Sequence, residues 1–150
     1  MTIIVFKDNI ICSDSRLTSG DTLLSDNRQK IFKNDKGWIG GCAGLMTDLE
    51  KFSKWFMSNP KLKTWNGLKV DTDTRAIIAK PNGGVYEMCD TGYYENNTPY
   101  TTIGSGWKFA MGALEVGATA REAVESSIRL CIYCGGPVQE ERLDFVKDLK

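Results

Sequence analysis

The sequence contains no histidine. That removes the Ser-His-Asp and Cys-His nucleophile pairs, the H-E-x-x-H metal sites and every mechanism that carries a proton on imidazole. A hydrolase built from this chain needs another base. A free α-amino group, with an ordinary pKa of about 7.7 to 8.0, accepts a proton near neutral pH. A hydroxyl on the same residue then has its base built in, and Thr2, directly behind the initiator methionine, would combine the two. The only C-x-x-C is Cys131-Ile132-Tyr133-Cys134. Tetrahedral zinc would need further ligands that neither a second C-x-x-C nor any histidine supplies, so neither a metal nor a cofactor is expected. The pair reads as a coincidence on a helix, with a thioredoxin-like redox pair as the alternative.

Composition bounds what can position such residues. A chain of 150 residues that is 41% hydrophobic and 25% charged can bury a real core, so residues 1–150 are expected to form a single domain, with Met1 removed. Lys+Arg and Asp+Glu balance at 19 each, and a pI near 6.3 gives no basic field for a phosphate backbone; nucleic acid is not an expected partner. No window approaches the roughly 18 apolar residues of a membrane span, and the start lacks the charged and apolar regions of a secretory signal. A cytoplasmic protein is expected. The five cysteines, an odd count, are read as reduced thiols.

Residues 3–6 and 10–13 are β-rich runs around Lys7-Asp8-Asn9, a tight hairpin. With Asp8-Asn9 as the turn, Lys7 pairs with Ile10, and counting outward sets Thr2 opposite Ser15. Strands are predicted at residues 22–24 and 30–32, and the glycine-rich run 37–44 reads as buried strand and turn. Thr47-Asp48-Leu49-Glu50 has the form of a capping box with Thr47 as N-cap, and Met46, Leu49, Phe52 and Phe56 form a core stripe on the helix that follows. Residues 60–73 read as polar connection, 75–79 and 85–89 as a second hairpin, and 93–100 as a loop. A strand at 101–103 leads through Gly104-Ser105-Gly106 into two helices, about 107–116 and, capped by Thr119 with Glu122, 119–133. The tail, 138–150, fits either a strand or a helical turn. The order suggests α+β layers with antiparallel sheets.

Several of these segments, in order, resemble one family. Asp14-Ser15-Arg16-Leu17-Thr18-Ser19-Gly20 is similar to the D-S-R-x-T-x-G segment of proteasome β subunits and their bacterial HslV-like relatives. Lys30-Ile31-Phe32 resembles their K-I-F-like strand, Ala43-Gly44-Leu45-Met46-Thr47-Asp48 their A-G-x-x-A-D, and Ile103-Gly104-Ser105-Gly106 with Ala110 and Gly112 their I-G-S-G followed by A-x-G. Cys131-Ile132-Tyr133 is similar to the C-I-Y of the bacterial branch. The resemblance implies a four-layer αββα N-terminal-nucleophile (Ntn) hydrolase, a sandwich of two antiparallel sheets flanked by helices. Against the family's longer first hairpin, this one loses an even number of residues between Thr2 and Asp14, which preserves side-chain facing; a register built on Met1 would not.

The resemblance assigns roles. Thr2 Oγ would attack an amide carbonyl while its α-amine takes the proton, as in a threonine-type endopeptidase. Lys30 would lower the hydroxyl's effective pKa, Asp14 would hold Lys30, the Gly44 N–H would be the oxyanion donor, and Ser105 would hydrogen-bond the α-amine. Arg16 would support the Asp14 loop, and Cys42 and Met46 either line an apolar specificity pocket or belong to the core. Taken singly, Asp14 and Lys30 read as a surface pair, Gly44 as a turn glycine and Ser105 as a helix cap.

The implied partners are copies of the chain itself, in stacked homo-oligomeric rings, an unfolded polypeptide as substrate and an AAA+ ATPase unfoldase. Two departures bear on this. The polar cluster that family peptidases carry after the last helix is replaced here by Cys131 and Cys134, and the segment before Arg75 is shorter than in relatives. Alternatives are an inactive scaffold or interaction subunit, and an Ntn amidohydrolase acting on a small amide.

Overall fold

The computed structural model describes residues 2–144, and the predictions for Met1 and for residues 145–150 lie outside them. In chain order the strands and helices are β1 (Ile4–Lys7), β2 (Ile10–Ser13), β3 (Leu17–Ser19), β4 (Thr22–Ser25), β5 (Ile31–Lys33), β6 (Ile39–Ala43) and α1 (Met46–Met57). They continue with β7 (Arg75–Ala79), β8 (Val85–Cys89), β9 (Gly92–Glu95), β10 (Tyr100–Ile103), α2 (Trp107–Glu115), α3 (Ala120–Leu130) and β11 (Gln139–Arg142). One antiparallel sheet has the order β10-β1-β2-β11 and a second β5-β6-β7-β8-β9, with β3-β4 a separate hairpin.

Side-chain alternation along β1 shows why the layers stack as they do. Ile3 and Val5 pack with Ala110, Leu114, Ala123 and Val124 of the α2 and α3 layer. Ile4 and Phe6 point the other way, joining Ile31, Ile39 and Ile77 of the second sheet. On the far face of that sheet, Phe32, Cys42, Ala76 and Ile78 meet Leu49, Phe52 and Phe56 of α1. The result is the αββα sandwich. Glycines set its tight spacings. A Cβ on Gly40 would lie 2.9 Å from the Ile77 carbonyl oxygen and 3.0 Å from the Phe56 ring, and one on Gly41 would lie 2.7 Å from Ile31 and 3.0 Å from Ile4.

The hairpin forms in the predicted register, with Lys7 opposite Ile10 and Ile4 opposite Ser13. Asp8 and Asn9 both take positive φ, 53° and 66°, the turn whose twist matches the flanking strands. Four sequence expectations are corrected. α1 starts at Met46 with Leu45 as N-cap and no side-chain cap, so Thr47 lies inside the first turn; Glu50 reaches Arg28 instead of closing a capping box. Residues 60–73 contain a 3₁₀ helix, Leu62–Leu68, that buries Trp65. The region expected as a loop carries β9, an exposed edge strand whose tyrosines give no inward alternation to read. α3 stops at Leu130, because Cys131 leaves the helix in an extended conformation. Its predicted start is found: Thr119 and Glu122 form a reciprocal capping box.

Candidate active site

Thr2 follows the parity of Ile4 and Phe6, so its side chain faces the space between the sheets rather than the α2 and α3 layer. It is 7% exposed. Its nitrogen donates to Ser105 Oγ at 3.2 Å, and its carbonyl accepts from the Gly106 amide at 3.3 Å and faces the Ser105 hydroxyl at 3.4 Å. Ser105 is not the cap of α2, which is Gly106. The path to this contact depends on Gly104, with φ of 102°: a Cβ there would stand 2.1 Å from the Thr2 carbonyl oxygen.

Asp14 is fully buried and joins three segments. Its Oδ1 accepts from the Ile3 amide at 3.1 Å and from Lys30 Nζ at 2.9 Å, while Oδ2 accepts from the Gly135 amide at 3.1 Å. Lys30 Nζ also donates to the Arg16 carbonyl at 2.6 Å. The pair is therefore no surface ion pair, since Lys30 is only 2% exposed. Burial lowers the Lys30 pKa from the usual lysine value, and the Asp14 carboxylate opposes that shift. Because Lys30 and the Ile3 amide share one carboxylate oxygen, the ammonium sits two hydrogen bonds from the peptide that leaves Thr2.

Arg16 lays its guanidinium bidentate on Asp26, at 2.8 and 3.1 Å. It supports the loop through that pair and through its carbonyl. Ser15 adds a hydroxyl bond to the Pro137 carbonyl at 2.8 Å.

Gly44 follows β6 and has φ of 155°; a Cβ there would lie 2.2 Å from Thr74 Oγ1. Thr74 is held by buried Asp48, whose Oδ2 accepts from Thr74 Oγ1 at 2.6 Å and from the Asp71 amide at 2.9 Å. Thr2, Arg16, Lys30, Cys42, Gly44, Met46 and Ser105 all line one cleft of about 740 Å³. Asp14 lies behind its wall. Cys42 is both core and cleft wall, 1% exposed, with its thiol pKa pushed up by burial. Met46 is 46% exposed at the start of α1.

Sequence reasoning missed the residues that fix these groups from behind. Gly104 and Gly106 carried a signal, since they flank Ser105 in its motif. Thr74 and Gly135 carried none, being distant in sequence from the residues they touch. Among the described residues no group of histidine, cysteine or carboxylate side chains is arranged to hold a metal ion. No helix among them is long and apolar enough to cross a membrane.

Two layered sheets flanked by helices, with a cleft between the sheets at the start of β1, define a proteasome-like fold. The proteasome subunit family model matches residues 4–80, and the chain belongs to that family. The solved structure of Thiobacillus denitrificans BPH in complex with epoxomicin is similar over 95% of this chain and 98% of that one, with a TM-score of 0.74 at 21% identity. Thiobacillus denitrificans BPH is also similar in a second structure, at a TM-score of 0.73, 20% identity and the same coverage. At these identities the likeness is one of fold. No curated protein matches the chain.

Proposed function

We propose that this chain is a threonine-type peptidase subunit in which Thr2 Oγ is the nucleophile and the Thr2 α-amine, freed by removal of Met1, is the base. The observation that carries this reading is the Asp14 junction, where one buried carboxylate holds both Lys30 Nζ and the Ile3 amide. That arrangement keeps a cation beside a residue whose hydroxyl must lose a proton.

In the reaction the amine takes the Oγ proton, directly or through one water, as Oγ attacks the substrate carbonyl. Lys30 favours the developing alkoxide electrostatically. The Gly44 N–H receives the oxyanion, at a position where a side chain would clash with Thr74. Ser105 Oγ, which accepts from the Thr2 nitrogen at 3.2 Å, would hold the freed amine in place for that proton transfer. The amine then returns the proton to the leaving nitrogen, and water hydrolyses the ester.

The cleft bounded by Cys42, Met46 and Leu49 would take an apolar side chain beside the scissile bond. We further propose residues 1–150 as one domain acting in the cytoplasm on unfolded polypeptide, in homo-oligomeric rings served by an ATP-driven unfoldase. The epoxomicin complex of the similar BPH structure supports a peptidase cleft in this fold.

Turnover of peptide amides by chains starting at Thr2 is the test. Thr2→Ala should lower kcat by at least ~10³-fold, because removing the nucleophile disables the unit as a whole, while Thr2→Ser retains activity. Equal turnover by Thr2→Ala and the parent would overturn the reading, and no turnover by a parent that starts at Thr2 would leave an inert scaffold.

A further inference from the structure

The role assigned to Ser105 leaves a neighbouring pair of thiols without a function. Cys131 caps the end of α3, and the Cys134 amide donates back to the Cys131 carbonyl at 3.1 Å. A turn closed in this way holds its end Cα atoms within about 7 Å, and disulfides span roughly 4.4 to 6.8 Å. Both side chains enter the same apolar cluster, next to Ile3. Cys134 Sγ packs against Gly106, where it would stand 3.1 Å from an added Cβ, and Gly106 follows Ser105 and donates its amide to the Thr2 carbonyl. The residue after it, Gly135, donates its amide to Asp14. The C-x-x-C turn is therefore joined to both sides of the Thr2 site.

We propose that Cys131 and Cys134 are a redox-modifiable dithiol whose closure to a disulfide turns the Thr2 site down by shifting Cys134 Sγ from Gly106 and drawing on the turn that carries the Gly135 amide. The effect on activity rests on the peptidase reading; the disulfide itself does not. Hydrogen peroxide is a sufficient oxidant. The sulfur of Cys131, the more exposed residue at 8% against 1% for Cys134, attacks one peroxide oxygen. The O–O bond breaks, the departing oxygen leaves as water with the thiol proton, and Cys131 becomes a sulfenic acid.

The Cys134 sulfur then attacks the Cys131 sulfur, the S–S bond forms, and the S–O bond breaks with loss of a second water that takes the Cys134 proton. Two thiols lose two electrons and one peroxide becomes two waters. Burial raises the Cys134 thiol pKa to about 12, which keeps its thiolate fraction small and slows closure. Once formed, the bond would move Cys134 Sγ from its seat on Gly106 and pull on the turn that supplies the Gly135 amide. The Thr2 nitrogen then loses its fixed orientation.

The experiment treats the full chain with hydrogen peroxide, then reads intact mass after alkylation, hydrogen exchange at the Ile3 and Gly106 amides, and peptide-amide turnover. The expected result is a Cys131–Cys134 disulfide, faster exchange at both amides, and turnover reduced by about tenfold, the scale of one lost orienting hydrogen bond. Dithiothreitol should reverse all three, and Cys131→Ala should keep its turnover under peroxide. A chain that shows no disulfide overturns the proposal, as does one that forms it with both amides and turnover unchanged. A chain that forms the disulfide with faster exchange, yet has no turnover in either state, overturns the peptidase reading and leaves the switch standing.

Discussion

At the scale of single residues, the site depends on charges kept out of water. Lys30 binds its proton less tightly in the fold than in the open chain because it is buried. Between its lowered value and the ordinary lysine pKa of about 10.4, the unfolded chain holds more protons, so the Lys30 contribution to stability rises with pH in that window. Activity should run the opposite way, falling as the ammonium that favours the alkoxide is lost. The rate against pH should therefore show an alkaline limb below ~10.4, and Lys30→Arg, which keeps its charge, should move that limb upward in any variant that retains turnover. An unmoved limb in such a variant would assign it to another group. Lys30→Ala is a poorer probe, since it strands the buried Asp14 carboxylate without its cation. The residues that touch the cleft were legible because motif order and the hairpin register placed them. The burial of Lys30 was not, because a lysine in a short apolar strand looks the same whether its tip meets water or a carboxylate.

At the scale of elements, what was legible followed periodicity and turn chemistry. The Asp8-Asn9 turn, the Thr119 capping box and the α1 stripe, except for its first member Met46, which is exposed on the cleft, were readable because each is decided within a few residues. Thr47 failed as a cap for a long-range reason: Asp48 is drawn into the Asp71 and Thr74 network, which sets where α1 begins. The Leu62–Leu68 turn was invisible because its one buried residue, Trp65, is ordered by contacts from elsewhere. Its indole donates to the Cys89 carbonyl at 2.8 Å and its ring meets Phe52 edge-on. Phe52 also contacts Phe32, Trp55 and Phe56, and is 0% exposed. Phe52→Ala should accordingly cost about 3–5 kcal/mol in denaturant unfolding, with loss of the Trp65 near-UV signal. A cost under ~1 kcal/mol would mean that the cluster collapses around the gap.

At the scale of the whole molecule, the layers enclose one face of each element and leave others apolar and open. Leu49, Phe52 and Phe56 of the α1 stripe face inward, which takes them out of any contact between copies. Open apolar surface lies on the α2 and α3 side, at Trp107, Phe109, Met111, Val116, Leu130 and Ile132, and also at Leu23, Leu24 and Met57. Burying such a surface between copies, at about 1,000 Å² or more per interface, should give a light-scattering mass several times the 16.7 kDa subunit. A strict monomer at micromolar concentration would favour the small-amide reading. The assembly would confine a site whose proposed chemistry rests on a single atom, the Thr2 nitrogen, being an amine rather than an amide. Intact mass measured alongside peptide-amide turnover tests that most directly. Turnover should scale with the fraction of chains that begin at Thr2 and vanish in a preparation that uniformly keeps Met1; full turnover by Met1-bearing chains would contradict it.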